Sequence, residues 1–350
     1  MAQQQALLLE VKFGDLTVRT IDVPKPGAGE VLVKIQSAAL NPMDWKVHKH
    51  GVFVDKVPTV FGWDIAGDVV QIGEGLESAG FAVGDRVFFQ GTRTDETRGF
   101  QQYTIAKSPL IGKIPHNLTY DDASTLPVAA FTAFVALFQK SPEGFGLPNT
   151  LFDNEGGRGD KLVGQTIVVL GGSSQVGQFF LQYAKLVGFS SIITTASLKH
   201  ADYLKSLGAT HVIDRNASLD AFSSQVSEIS STGFKYVIDT ISSPETQQFG
   251  YDLLSVDGEL VIVLPGQEAI KNKVEGKKVH SFSAFATLPQ HRELANAFFE
   301  NIPSLFAKGT LKTTPVEVLP NGLAGITGGL KRLENNQVSG VKLVARPQET

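Results

Sequence analysis

Thr166-Ile-Val-Val-Leu-Gly-Gly-Ser-Ser-Gln-Val-Gly177 passes from five strand-forming residues through a glycine pair into Phe179-Phe-Leu-Gln-Tyr-Ala-Lys-Leu186, a stretch with helical spacing of its apolar residues. An apolar strand, a glycine turn and an amphipathic helix in direct succession make the dinucleotide-binding fingerprint. Gly172, Ser174 and Gly177 hold its three positions. Gly172 is expected to allow the tight turn, the small Ser174 to let the backbone approach a pyrophosphate, and Gly177 to let helix and strand pack closely. The first helical N–H groups then face the phosphates. A glycine pattern alone also fits an ordinary strand–loop–helix turn; the flanking strand and helix are what favour the nucleotide reading.

Outward from this turn, SIITTAS, HVID, KYVIDT, ELVIVL and KVHSFSA follow TIVVL at helix-length separations, six short apolar runs in all. Near-continuous apolar strands joined by helices predict a parallel sheet covered on both faces, an α/β doubly wound domain over 126–287. About 20 residues past the glycine turn, an NAD site places Asp or Glu on the ribose hydroxyls. This chain has Ala196-Ser-Leu-Lys-His200 there, and Arg215 follows the HVID run. Ser197, Lys199 and Arg215 suit a 2′-phosphate, which favours NADPH over NADH. Singly, Lys199 and Arg215 would read as solvated surface cations; the missing acid gives the combination its meaning.

Before residue 125 short β-rich runs (LTVRTID, EVLVKIQSAAL, DIAGDVVQIG, DRVFFQ, QYTIAK) alternate with Gly/Pro punctuation, predicting a mostly β lobe. The tail from 288 reads as helix (AFFENIPSLFAKG), strand (VEVLP), helix (GGLKRLENN) and strand (VKLVARP), packed back on that lobe. The Gly- and Pro-rich segment between Gln139 and Leu162 reads as a surface loop.

The chain has 350 residues, no cysteine and a formal net charge of −4. Disulfides and thiolate metal sites are thereby excluded. No basic footprint for nucleic acid or anionic lipid is present. The N-terminus lacks a signal-peptide pattern and no apolar stretch reaches membrane-spanning length, so a cytoplasmic protein is expected.

With the nucleotide domain placed second, the chain resembles the medium-chain dehydrogenase/reductase superfamily nearly end to end. The motifs are Ala39-Leu-Asn-Pro-Met-Asp44, Phe61-Gly-Trp-Asp-Ile-Ala-Gly67, Val83-Gly-Asp-Arg-Val87, Gly99-Phe-Gln-Gln-Tyr103, the glycine turn, Lys205-Ser-Leu-Gly-Ala209 and Val338-Ser-Gly-Val-Lys-Leu-Val344. Alcohol dehydrogenases of that superfamily carry a zinc-binding Cys where this chain has Asn41, and His-Glu where it has Trp63-Asp64. Asn41-Pro-Met-Asp-Trp-Lys46 instead resembles the zinc-free quinone reductases and, more closely, the fungal trans-acting enoyl reductases. The resemblance implies a GroES-like, mostly β catalytic domain over 1–125 and 288–350, with a Rossmann NADP-binding domain over 126–287. It also implies a cofactor lining of Met43, Trp45, Lys46, Ser173, Ser174, Gln175, Val176, Ser197, Lys199, His200, Arg215, Leu264, Pro265, Gly340 and Val341. Arg215 departs from the tyrosine usual in that branch.

Reduction of a conjugated double bond needs hydride alignment, polarisation of a carbonyl oxygen and a proton for the enolate. Lys46 can polarise that oxygen or anchor the cofactor ribose, Asp44 or Asn41 can orient it, and Thr132 in Ala130-Phe-Thr-Ala133 suits the nicotinamide amide. A snorkelling loop lysine and an Asn-Pro turn are the plainer readings of Lys46 and Asn41. His48 and His50 flank Lys49 in what reads as a loop, and surface histidines describe them better than metal ligands do. Phe282, Phe285, Phe298 and Phe299 either wall an apolar cleft or, more ordinarily, fill the core. The expected activity is NADPH-dependent reduction of a small apolar enone or enoyl substrate by a monomer or homodimer, with no metal. Quinone reduction and a catalytically silent NADPH-binding protein are the competing readings.

Overall fold

The computed structural model describes residues 2–76, 80–152, 162–264 and 269–350. Two units form, residues 1–128 with 285–350, and residues 129–284. The first opens with β1 (Gln3–Leu9), β2 (Leu16–Asp22), β3 (Glu30–Ala39), α1 (Pro42–His50), β4 (Thr59–Val60), β5 (Asp64–Ile72), β6 (Arg86–Gln90), β7 (Tyr103–Lys107), β8 (Gly112–Lys113) and α2 (Tyr120–Ser124).

The second unit holds α3 (Ala129–Phe138), β9 (Thr166–Leu170), α4 (Gln175–Leu186), β10 (Ser191–Ala196), α5 (Ala201–Leu207), β11 (His211–Asp214), α6 (Leu219–Gln225), β12 (Phe234–Asp239), α7 (Pro244–Asp252), β13 (Leu254–Ile262) and β14 (Lys278–Ser281). The chain then returns to the first unit as α8 (Arg292–Ala307), β15 (Val316–Val318), α9 (Gly322–Glu334) and β16 (Lys342–Ala345).

In the second unit the six strands lie in the order β11-β10-β9-β12-β13-β14, every neighbouring pair parallel. Numbered along the chain, that is 3-2-1-4-5-6, the doubly wound order whose direction of winding reverses beside the first strand. The first strand here is β9, in which Ile167 to Leu170 are all buried because helices cover both sheet faces. All six runs expected from the sequence are strands of this sheet.

In the first unit β3 is the central strand. It pairs antiparallel with β5 along its length, with β7 over its first half and with β16 at its end. Val31, Val33 and Ile35 of one face are fully buried, while Glu30, Lys34 and Gln36 of the other are half-buried, so the strand backs onto the core of Leu7, Val33, Ile35, Phe61, Ile65 and Leu343. The smaller β2-β1-β4 sheet completes the unit.

Three features differ from expectation. Gln3–Leu9 forms a strand, β1, although Gln3-Gln-Gln5 carries no strand signature; pairing with β2 through Leu9 opposite Leu16 supplies it. Residues 42–50 form a helix rather than a loop. Asn41 is its N-cap, Pro42 sits in the first turn, the Asp44 carboxylate accepts the Asn41 N–H at 2.7 Å, and Gly51 closes it in the left-handed region. The segment after Gln139 is not wholly a surface loop, since Phe145, Leu147 and Leu151 are buried; residues 153–161 lie outside the described residues. Phe282, Phe285, Phe298 and Phe299 are core residues. No described helix is long and apolar enough to cross a membrane.

Candidate functional site

The glycine turn joins β9 to α4, and its geometry is set by close contacts. Gly171, not Gly172, takes the left-handed conformation, with φ +83°. The expected role of Gly172 is therefore corrected: a Cβ there would lie 2.2 Å from Thr194 Oγ1, so its small size lets the turn pack on β10. At Gly177 a Cβ would meet the Gly171 carbonyl oxygen at 2.4 Å, which brings the start of α4 against the turn. Ser174 is the N-cap of α4, its Oγ accepting the Gly177 N–H at 2.9 Å and lying 2.8 Å from Thr240 Oγ1.

Hydroxyls rather than charges pin this backbone. Thr195 Oγ1 accepts the Gly171 N–H at 3.1 Å, and Thr240 donates to the Leu170 carbonyl at 2.7 Å. Ser173, Ser174, Gln175 and Val176 are half-buried at the helix start. A twelve-residue helix beginning here directs N–H groups and a partial positive charge outward, a cradle suited to an anion. Next to it β12 ends at Asp239, whose carboxylate accepts the N–H groups of Ile241 and Ser242, both at 2.9 Å, and the Thr246 hydroxyl at 2.7 Å. That ring of bonds holds Ser242 at φ +60° and leaves Ile241 47% exposed beside Gly171. None of Gly171, Thr195, Thr240 and Ile241 was singled out by the sequence pattern, because they come from three separate strands.

At the end of β10, Ala196 pairs with Asp214 of β11, and the Arg215 N–H donates to the Ala196 carbonyl at 2.9 Å. Arg215 thus lies beside Ser197, Lys199 and His200. Burial first, and then the positive charges of Lys199 and Arg215, hold the His200 pKa below its ordinary value. The Asp214 carboxylate is turned to the Asn216 N–H at 2.8 Å. Leu264 follows β13 and is half-buried, while Pro265 lies outside the described residues. Thr132 is buried on α3, all ten residues of which are buried.

In the first unit the expected catalytic residues separate by environment. Lys46 is half-buried on α1, its ammonium 5.7 Å from the Trp45 ring centroid, and burial lowers its pKa. Met43 and Trp45 pack partly on the core; Gly340 (φ +74°) and Val341 lead into β16. Asn41 and Asp44 are buried and committed to other groups, which places them behind the helix start rather than on its open side.

Asn41 Oδ1 accepts the Lys342 ammonium at 2.6 Å, and Asn41 Nδ2 donates to Asp64 Oδ2 at 2.8 Å. Lys342 and Asp64 form an ion pair at 2.8 Å with their side chains 1% and 0% exposed. Asp64 Oδ1 accepts the Val128 N–H at 2.6 Å. Asp44 is pushed up to about 7, chiefly by burial and also by the nearby Asp64 charge, against the Asn41 N–H and Lys342, which act the other way. His48 Nε2 lies 2.7 Å from the Gly14 carbonyl oxygen, and among the described residues no group of three or more His, Asp and Glu is placed to hold a metal ion.

Comparison with known proteins matches these two regions separately. Residues 27–116 match the alcohol dehydrogenase GroES-like domain, and residues 176–298 the zinc-binding dehydrogenase domain. The chain is 31% identical over 323 residues to the trans-enoyl reductase himH of Aspergillus japonicus, covering 90% of this chain and 89% of that one. It is 31% identical over 336 residues to the trans-enoyl reductase resD of Aspergillus sclerotiorum, covering 91% and 93%. Among solved structures, a mycobacterial protein in complex with NADPH superposes with a TM-score of 0.76 at 22% identity, over 98% of this chain and 100% of that one. The chain belongs to the medium-chain dehydrogenase/reductase family, among the relatives of the fungal trans-enoyl reductases, and is an oxidoreductase.

Proposed function

We propose that the chain is an NADPH-dependent reductase acting on a carbon–carbon double bond conjugated to a carbonyl, as in an enone or an enoyl thioester. The observation that carries the coenzyme part is the pairing, in one parallel sheet, of a glycine-bounded helix start with a cationic group at the end of the neighbouring strand. The turn from Gly171 to Gly177 suits a diphosphate, since any side chain at Gly172 or Gly177 would fill the space its packing needs. Lys199 and Arg215, with Ser197, suit a 2′-phosphate, for which a ribose-binding acid would be repulsive.

NADPH, when bound, supplies the hydride. The chain's own groups bind and polarise. Lys46 is half-buried on α1 with a pKa lowered by burial, so its ammonium can donate to the carbonyl oxygen as negative charge develops there. Thr132 offers a hydroxyl to hold the coenzyme amide. Asn41 and Asp44 act behind Lys46 by fixing the helix on which it stands. The trans-enoyl reductases among the relatives support this acceptor class.

The experiment is NADPH oxidation by the purified protein against enones, enals, enoyl thioesters and quinones. Turnover of the conjugated carbonyl compounds is expected, with Lys46→Met lowering kcat by about 100-fold. Turnover of quinones alone would replace this reading with quinone reduction. Tight NADPH binding with no turnover of any of the four would leave a binding protein without catalysis.

A further inference from the structure

Strand pairing delivers three polar groups to one buried point at the end of β3. The antiparallel register of β16 sets Val344 opposite Ala39, which carried two residues further puts Lys342 opposite Asn41. On the other side of β3, β5 sets Asp64 opposite Ala39. The ammonium, the amide and the carboxylate therefore meet because three strands end together, although 301 residues separate Lys342 from Asn41.

An ion pair this deeply buried is a weak source of stability, because the cost of taking both charges out of water rivals their attraction. Its fixed geometry is the more useful property. The single Asp64 carboxylate bonds to two segments at once: the Asn41 side chain, where α1 begins, and the Val128 N–H, one residue before α3. Trp45 and Lys46 follow the first attachment within five residues, and Thr132 follows the second after four. Lacking the Lys342 ammonium, Asp64 would be an uncompensated interior charge and would protonate or turn away, releasing both attachments.

We propose that Lys342 is a positioning residue: its ammonium holds Asp64 in the one orientation that fixes both the start of α1 and the residue ahead of α3. The kinetic consequence rests on the reductase reading above; the structural consequence does not.

The test compares the wild-type chain with Lys342→Met/Asp64→Asn, in which neither charge is left alone in the interior. The double variant is expected to fold, to bind NADPH with Kd within about twofold of wild type, and to lose about tenfold or more in kcat. That split follows because the Gly171–Gly177 turn is untouched while the mounting of Lys46 is loosened. With Trp63→Phe in both chains, Trp45 is the lone tryptophan, and acrylamide should quench it more in the double variant. A folded double variant with either wild-type kcat or unchanged Trp45 quenching overturns the proposal. If the wild-type chain reduces no acceptor, the reductase reading has failed and Trp45 quenching alone decides on the positioning role. If the double variant does not fold, amide exchange in the wild-type chain decides. Val128 N–H exchanging as slowly as the β3 amides supports the role, and exchange at loop rates overturns it.

Discussion

The turn after β9 and the start of α1 both present a helix N-terminus, and they are built on opposite principles. The first uses glycines and hydroxyls: Gly171, Gly172 and Gly177 supply space, and the hydroxyls of Thr195, Thr240 and Ser174 hold the backbone. The second uses buried ionisable groups: the Asp64–Lys342 ion pair and the Asp44 carboxyl surround Asn41 with almost no exposure. A helix start meant to receive an anionic ligand must leave its N–H groups and its partial positive charge free. One meant to carry side chains elsewhere can spend them on an internal carboxylate, as α1 does with Asp44.

The contrast can be broken most severely at Gly177. Gly177→Val forces a side chain into the Gly171 carbonyl and the Gly172 backbone. Loss of more than about 3 kcal/mol of stability is expected, together with loss of NADPH binding. Thermal unfolding and coenzyme titration would register both.

Asp44 tests the ionisable helix start. Between about pH 4 and 7 the unfolded chain ionises this acid while the folded chain retains its proton. The folded state then binds more protons, so stability falls as pH rises through that window and levels off above it. A displacement from 3.8 to about 7 corresponds to on the order of 4 kcal/mol. Asp44→Asn should remove this slope, leaving the variant more stable than wild type at pH 8 and equal to it below pH 4. Denaturant unfolding across the range would read the difference, and identical slopes for the two chains would contradict the assignment.

A smaller effect is expected at the edge of the uncharged turn. Lys199→Ala/Arg215→Ala should weaken NADPH binding by about 30-fold, or about 2 kcal/mol, and leave NADH nearly unchanged. Equal losses for both coenzymes would remove the 2′-phosphate role. The smallest concerns Tyr183 on α4, whose buried hydroxyl has no hydrogen-bond partner among the described residues and whose ring lies against Phe134 and Phe179. Burial pushes its pKa strongly up. Tyr183→Phe should raise stability by about 1 kcal/mol.

The two regions also differ in how legible they were. The glycine turn is a local signal, with strand, turn and helix contiguous in sequence, and the six runs around it alternate with helices in a way few other folds allow. Even so, the pattern credited the tight turn to Gly172 while Gly171 takes the left-handed conformation, because a spacing rule reports which residues are small and not which of them has positive φ. The start of α1 was partly readable: Asn41 stands at the N-cap and Pro42 and Asp44 at the first and third positions of the first turn, a helix signature that the Asn-Pro turn reading obscured. What no local pattern could supply was Lys342. Its meeting with Asn41 and Asp64 depends on the register of β16 and β5 against β3, and the same contacts explain why Asn41 and Asp44, expected in an orienting role beside Lys46, are turned inward.

The most direct measurement is equilibrium titration of the purified chain with NADPH and with NADH, followed by coenzyme fluorescence. Saturable binding of both through the turn at Gly171–Gly177 is expected, with NADPH bound at least about tenfold more tightly. Absence of binding to either, or a preference for NADH, would contradict the coenzyme assignment.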